Sequence, residues 1–144
     1  RTVSITRGGP AATTAEGVAE TCVAAALYGA GGARYPVGGV NITYKELLEK
    51  MLFYAKDGRK VRLVPARLAA LGAKGILKEY AAAGCESGLN PAKLMTEFQK
   101  RYFYIDAEKT ESALHFAELG FSPVREIDAA VRASMEACYP ERFR

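Results

Sequence analysis

Three arginines are the side chains best suited to hold a ligand. Arg62 and Arg67 stand on either side of Pro65, and Arg101 directly precedes the aromatic run Tyr102-Phe103-Tyr104. A guanidinium presents a planar fork that matches phosphate or carboxylate oxygens, so these three are the candidate substrate-binding positions. Surface ion pairs would suit the same side chains, and the sequence leaves both readings open. No catalytic set assembles around them. His115 is the single histidine, and a general base needs a positioned proton partner that the sequence does not name. Cys22, Cys85 and Cys138 are widely separated and lack metal-ligand spacing, so no metal site is expected. A tyrosine with a lysine four residues later would make an acid/base pair. Tyr35, Tyr44, Tyr54, Tyr80, Tyr102 and Tyr104 are followed at that spacing by Gly, Leu, Gly, Gly, Asp and Glu. No catalytic residue is therefore assigned.

The elements that must carry these side chains follow from pattern and punctuation. Residues 2–6, Thr-Val-Ser-Ile-Thr, are rich in β-branched side chains and alternate, a short strand, broken by Arg7-Gly8-Gly9-Pro10. Thr13-Thr14-Ala15-Glu16 has the form of a capping box and starts a helix reaching about Tyr28, with Val18, Cys22, Ala25 and Ala26 as its apolar set. Gly29, Gly31 and Gly32 follow that helix. A dinucleotide loop would instead lie between a strand and a helix, so no cofactor-binding residue is assigned. Arg34-Tyr35-Pro36-Val37 reads as a short strand. Thr43-Tyr44-Lys45-Glu46 is a second capping box, followed by Tyr44, Leu47, Leu48, Met51, Leu52 and Ala55 at helical spacing.

Val61 to Val64 reads as a strand. Residues 65–83 read as a helix presenting Leu68, Leu71, Gly72, Gly75 and Ile76. A loop is expected over 84–89, and Asn90-Pro91 reads as a further helix start. An extended stretch over 102–105 precedes a helix from Asp106 to about Leu119, stopped by Gly120. Ser122-Pro123 opens a last helix with Ile127, Ala130, Val131, Ser134, Met135 and Cys138 on one face. The fold class is α/β and predominantly helical, with about six helices and about four short strands.

At 144 residues, with 49% apolar and 25% charged residues, the chain has the size and composition of one globular domain with its own core. The net charge of +4, from 20 Lys+Arg against 16 Asp+Glu, is spread along the chain. Nucleic acid is thus a weak expectation as a partner, although the run Lys56, Arg59, Lys60, Arg62 and Arg67 is locally basic. No apolar run is long enough for a membrane span, and no leader pattern is present. The three thiols suit a reducing, cytoplasmic setting, with Cys22 and Cys138 expected to be buried on apolar helix faces.

Three ordered segments resemble the carboxyl-terminal part of the extended short-chain dehydrogenase/reductase family, which includes NAD-dependent epimerases and dehydratases and dihydroflavonol-reductase-like enzymes. The first is Glu16-Gly17-Val18-Ala19-Glu20 with its helix, followed by Tyr35-Pro36-Val37-Gly38-Gly39-Val40-Asn41-Ile42-Thr43. The second is Val61-Arg62-Leu63-Val64-Pro65. The third is Tyr104-Ile105-Asp106-Ala107-Glu108-Lys109 with Leu119-Gly120-Phe121-Ser122-Pro123. Two departures stand out: the stretch from Lys109 to Gly120 is longer than the family's, and Thr14-Ala15-Glu16-Gly17-Val18 lacks its paired aspartates.

The resemblance implies that residues 1–40 are a remnant of a Rossmann-type domain and 41–144 a mainly helical substrate-binding subdomain. It implies a parent protein that uses NAD or NADP, with the glycine fingerprint and Tyr/Lys pair upstream of Arg1. The partners would be a small-molecule substrate, phosphorylated or nucleotide-linked, the Rossmann domain of the same protein, and another copy in a homo-oligomer. Arg101 is the first position to test, since family members place an arginine before this strand. The different-class alternatives are a stand-alone helical interaction domain without catalysis and a basic nucleic-acid module.

Overall fold

The computed structural model describes residues 2–86, 90 and 93–143. The loop expected over 84–89 and the helix start at Asn90-Pro91 lie partly outside the described residues. The chain divides into two compact units. One comprises Arg1–Pro10 and Thr43–Phe103, the other Ala11–Ile42 and Tyr104–Arg144. The units interleave along the chain, where the sequence suggested one boundary at residue 40. The physical reason is that the amino-terminal strand finds its partner beyond residue 59.

In the first unit, β1 (Thr2–Ile5) pairs in parallel with β4 (Lys60–Leu63), Thr2 opposite Lys60 and Ile5 opposite Leu63. The ladder extends one step further, Val64 donating its N–H to the Ile5 carbonyl at 2.9 Å. Helix α2 (Tyr44–Tyr54) opens on the capping box read from sequence. Glu46 N–H donates to Thr43 Oγ1 at 3.1 Å, and Thr43 N–H donates to Glu46 Oε2 at 3.0 Å. Its expected apolar face is the one turned inward: Leu47, Leu48, Met51 and Leu52 are half-buried and Ala55 is buried.

Helix α3 (Ala66–Ala82) begins directly after Pro65 and packs against a short π-helical segment, Leu94–Phe98. The face that carries Leu68, Leu71 and Ile76 is the outer one. Leu68 and Leu71 are 60% and 63% exposed, and the residue at the interior is Ala73. Gly72 and Gly75 have no neighbour where a Cβ would stand. Strand β2 (Gly9–Ala12) contributes Gly9 and Pro10 to this unit, parallel to β5 (Tyr102–Phe103).

In the second unit, Ala11 and Ala12 of β2 pair antiparallel with β3 (Val40–Asn41). Thr14 caps helix α1 (Ala15–Tyr28) by accepting the Gly17 N–H at 3.0 Å. The buried face of α1 is Gly17, Thr21 and Ala24; of the expected apolar set, Ala25 packs partly buried against the core while Val18, Cys22 and Ala26 are exposed. Glycine at 17 permits this, because a Cβ there would lie 2.8 Å from Val124. Cys22 and Cys138 are both exposed, contrary to expectation.

No strand forms at residues 34–37. Pro36 has no N–H to donate to a ladder, and the segment is held by other means. The Tyr35 hydroxyl accepts the Ala30 N–H at 2.8 Å, and the Pro36 carbonyl accepts Thr110 Oγ1–H at 2.9 Å. Asn41 clamps the entry to α4 (Ala107–Ala113), accepting the Ile105 N–H at 3.1 Å and donating to its carbonyl at 3.2 Å.

The helix expected over 106–119 is broken in two. His115 takes a left-handed conformation (φ 54°) between α4 and α5 (Phe116–Leu119). Residues two apart on a continuous helix point about 200° from each other. Leu114 and Phe116 both enter the cluster around Ala24, which a straight helix would forbid. The last helix, α6 (Asp128–Cys138), starts later than Ser122-Pro123 suggested. Val124 instead lies against Gly17, and Arg125 reaches back to Glu111 with a 2.6 Å ion pair. Ile127, Val131 and Met135 are buried, and Pro140–Arg142 forms a closing 3-10 turn.

Candidate functional site

The two parallel strands of the first unit end side by side. Beyond Ile5 comes Thr6-Arg7, and beyond Leu63 comes Val64-Pro65 and the start of α3. In parallel sheets such carboxyl ends, with a helix starting beside them, are a preferred place for ligands. A crevice of about 480 Å³ opens here, lined by Thr6, Arg7, Leu63–Ala66 and Lys100. That volume lies within the roughly 300–1,000 Å³ common for small-molecule sites.

Glycine brings its two cations together across a long sequence gap. Gly8 has φ +145°, and a Cβ there would collide with the carbonyls of Gln99 and Arg101. Gly9 N–H donates to the Arg101 carbonyl at 3.0 Å, and the Gly8 carbonyl accepts the Tyr44 N–H at 2.9 Å. The backbone at 8–9 thus lies directly on that at 99–101, and the residues on either side, Arg7 and Lys100, share one rim. Neither makes an ion pair among the described residues.

Two further features line the same space. Thr6 is 1% exposed, and its Oγ1 has no hydrogen-bond partner. A buried unpaired hydroxyl costs about 1–3 kcal/mol. The first turn of α3 has no side-chain cap. Leu68 and Ala69 donate to the Pro65 carbonyl at 3.0 and 3.1 Å, which leaves the N–H groups of Ala66 and Arg67 as the orphan donors of the helix start.

The arginines chosen from sequence flank this crevice without lining it. Arg62 lies in β4 one residue before Leu63, Arg67 follows Ala66 in α3, and Arg101 follows Lys100; all three side chains are exposed. The cations that line the crevice are Arg7 and Lys100, which the sequence reading did not single out. The signal for Arg7 was the Gly8-Gly9 pair after a strand, which marks a close backbone approach.

In the second unit, Glu108, Glu111, Ser112, His115 and Glu118 line a separate concavity of about 460 Å³. Several of its charges are engaged within the unit. Glu111 holds Arg125, and His115 Nδ1 lies 2.8 Å from Glu118 Oε1. Among the described residues no cluster of three or more metal-ligating side chains forms, and no helix is long and apolar enough to cross a membrane.

Three glycines of the second unit lie close to other atoms. Gly29 ends α1, its N–H bonded to the Ala25 carbonyl at 2.9 Å. Gly38 lies against Ile105 and Ala107, and Gly39 against Ala12 and Thr13. Comparison with protein-family models, curated proteins and solved structures finds no match to this chain.

Proposed function

We propose that this chain is the substrate-binding, carboxyl-terminal portion of an NAD(P)-dependent epimerase, dehydratase or reductase of the extended short-chain family. It would act on a sugar-nucleotide or another substrate with a reacting carbonyl or carbinol carbon. The observation that carries the reading is the outer face of α1. Val18, Cys22, Val23, Ala26 and Leu27 are all exposed there, Leu27 at 62%, while the helix turns its small residues inward. Large exposed apolar faces mark surfaces that dock. In the proposed parent this face is covered by the Rossmann domain. The sequence order, helix then Gly38-Gly39 then Asn41 and a capped helix, supports the same reading.

On this reading the NAD or NADP and the Tyr/Lys pair would belong to a region preceding Arg1. This segment would shape and hold the substrate beside them. The test is the coding sequence before Arg1, followed by calorimetric titration of NAD and NADP into the chain with and without that region. A glycine fingerprint and a Tyr-x-x-x-Lys are expected upstream. The longer product is expected to bind dinucleotide at micromolar concentration, and the present chain to bind none. An upstream region lacking both motifs would refute the reading and favour a helical interaction domain. Micromolar binding by the present chain alone would show that the cofactor is misplaced.

A further inference from the structure

We propose that the crevice at the ends of β1 and β4 binds the phosphoryl group of a small organic phosphate or diphosphate, held by Arg7, Lys100, Thr6 and the start of α3. The proposal stands on the crevice itself and not on the cofactor-dependent reading above. It also reassigns the contact from Arg62, Arg67 and Arg101 to residues that line the cavity.

Four observations converge there. The first is a cavity of about 480 Å³ at the carboxyl ends of parallel strands. The second is a pair of cations on its rim, fixed by the approach of Gly8 to Gln99 and Arg101. The third is the uncapped start of a 17-residue helix, whose orphan N–H groups and dipole favour an anion. The fourth is independent of charge: Thr6 is 1% exposed, its hydroxyl is without a partner, and it forms part of the cavity wall. Among the described residues no carboxylate lines the crevice to oppose an anion.

The chemistry is that of recognition, with no bond made or broken. Arg7 offers a fork of N–H donors and Lys100 a compact charge. Ala66, in the crevice wall at the start of α3, offers a backbone donor, and Thr6 one hydroxyl proton. These donors can engage several oxygens of a phosphoryl group at once. A free inorganic anion, a sugar phosphate and a nucleoside diphosphate share that chemistry.

The experiment is a heteronuclear NMR titration of the chain with inorganic phosphate, inorganic pyrophosphate and uridine diphosphate at low salt. Shifts are expected at residues 6, 7, 65–67 and 100, with pyrophosphate and the nucleotide saturating below about 1 mM. Tighter nucleotide than pyrophosphate binding would identify a nucleotide-linked ligand, and equal binding a simple phosphate. Arg7→Gln and Lys100→Gln should each weaken binding about tenfold or more, as expected for one charge-assisted hydrogen bond. Arg62→Gln, Arg67→Gln and Arg101→Gln should change it by less than about threefold, since exposed charges outside the cavity act through screened fields.

Thr6→Val supplies a signature that a structural role would not give. Removing the unpartnered hydroxyl should raise the Tm by a few degrees while weakening binding several-fold. The proposal fails if no shifts appear at about 10 mM pyrophosphate, a concentration that would reveal even millimolar affinity. It also fails if Arg7→Gln and Lys100→Gln variants with an unchanged circular dichroism spectrum bind as tightly as the original. A DNA duplex binding more tightly than every small phosphate would overturn it in favour of nucleic acid.

Discussion

Alanine placed at Gly8 and at Gly72 should move stability in opposite directions. Gly8 has φ +145°, and its missing Cβ would stand 2.6 Å from the Arg101 carbonyl oxygen and closer still to that of Gln99. A non-glycine residue in so sparsely populated a region costs about 1–3 kcal/mol. The obstructing atoms are backbone, so relief requires the 99–101 segment to move and weakens the 3.0 Å bond from Gly9 to Arg101, about 1 kcal/mol more. A loss of about 2–4 kcal/mol is therefore expected, a large share of the roughly 5–15 kcal/mol that holds a domain folded. Gly72 lies inside α3 with nothing within 4 Å of its absent Cβ. There alanine restricts the unfolded chain without strain, a gain of about 1 kcal/mol. Urea unfolding with linear extrapolation measures both. A Gly8→Ala chain within about 1 kcal/mol of the original would refute the close approach, and with it the means by which Arg7 and Lys100 meet.

Thr43 donates its N–H and hydroxyl to Glu46, and the side-chain bond is the larger cause holding the Glu46 carboxyl below its ordinary value of 4.5. A depressed folded-state value contributes stability that is present above the ordinary value and lost as pH falls through the lowered one. The stability difference between the original chain and Glu46→Gln should therefore shrink on acidification below 4.5; a difference constant from neutral to acid pH by denaturant titration would count against the capping bond. Leu71→Gln, on the exposed face of α3, should alter folding stability by no more than about 0.5 kcal/mol while reducing self-association in sedimentation. A loss above about 2 kcal/mol would show that Leu71 is core.

What the sequence revealed well was local chemistry. The Thr43 and Glu46 pair announced α2 because both partners lie within one helical turn, and the structure closes both bonds. Gly120 stops α5 in a left-handed conformation (φ 69°), and Phe121 packs edge-on against Phe116 with ring centres 5.7 Å apart. These features depend on neighbours in sequence. The break at His115 does not, since it follows from the need to place Leu114 and Phe116 in one cluster with Ala24. The same holds for the crevice. Arg7 and Lys100 are far apart in the chain and line one crevice because Gly8 lets one backbone lie on another. Arg62, Arg67 and Arg101 were visible because of their residue type, but a type does not say which side chain faces a cavity.

The helix faces show the limit most clearly, and they also point onward. Helical periodicity identifies an apolar stripe on α1, Val18 with Cys22 and Ala26, and on α3, Leu68 with Leu71 and Ile76. It assumes that the largest residues meet the nearest core. In each unit the helix instead settles on glycine, threonine or alanine, Gly17 and Thr21 in one case and Ala73 in the other. Small residues suffice where the opposing surface is backbone or a short loop. The larger apolar side chains then remain outside on both helices. Burying a leucine or valine side chain contributes about 1.5–3 kcal/mol, so several left exposed on one helix leave a substantial stabilisation unrealised in this chain. The periodicity therefore does not mark the buried face of either helix among the described residues, and on the proposed function it marks a face covered by another domain. That is the physical content of proposing that another domain covers α1.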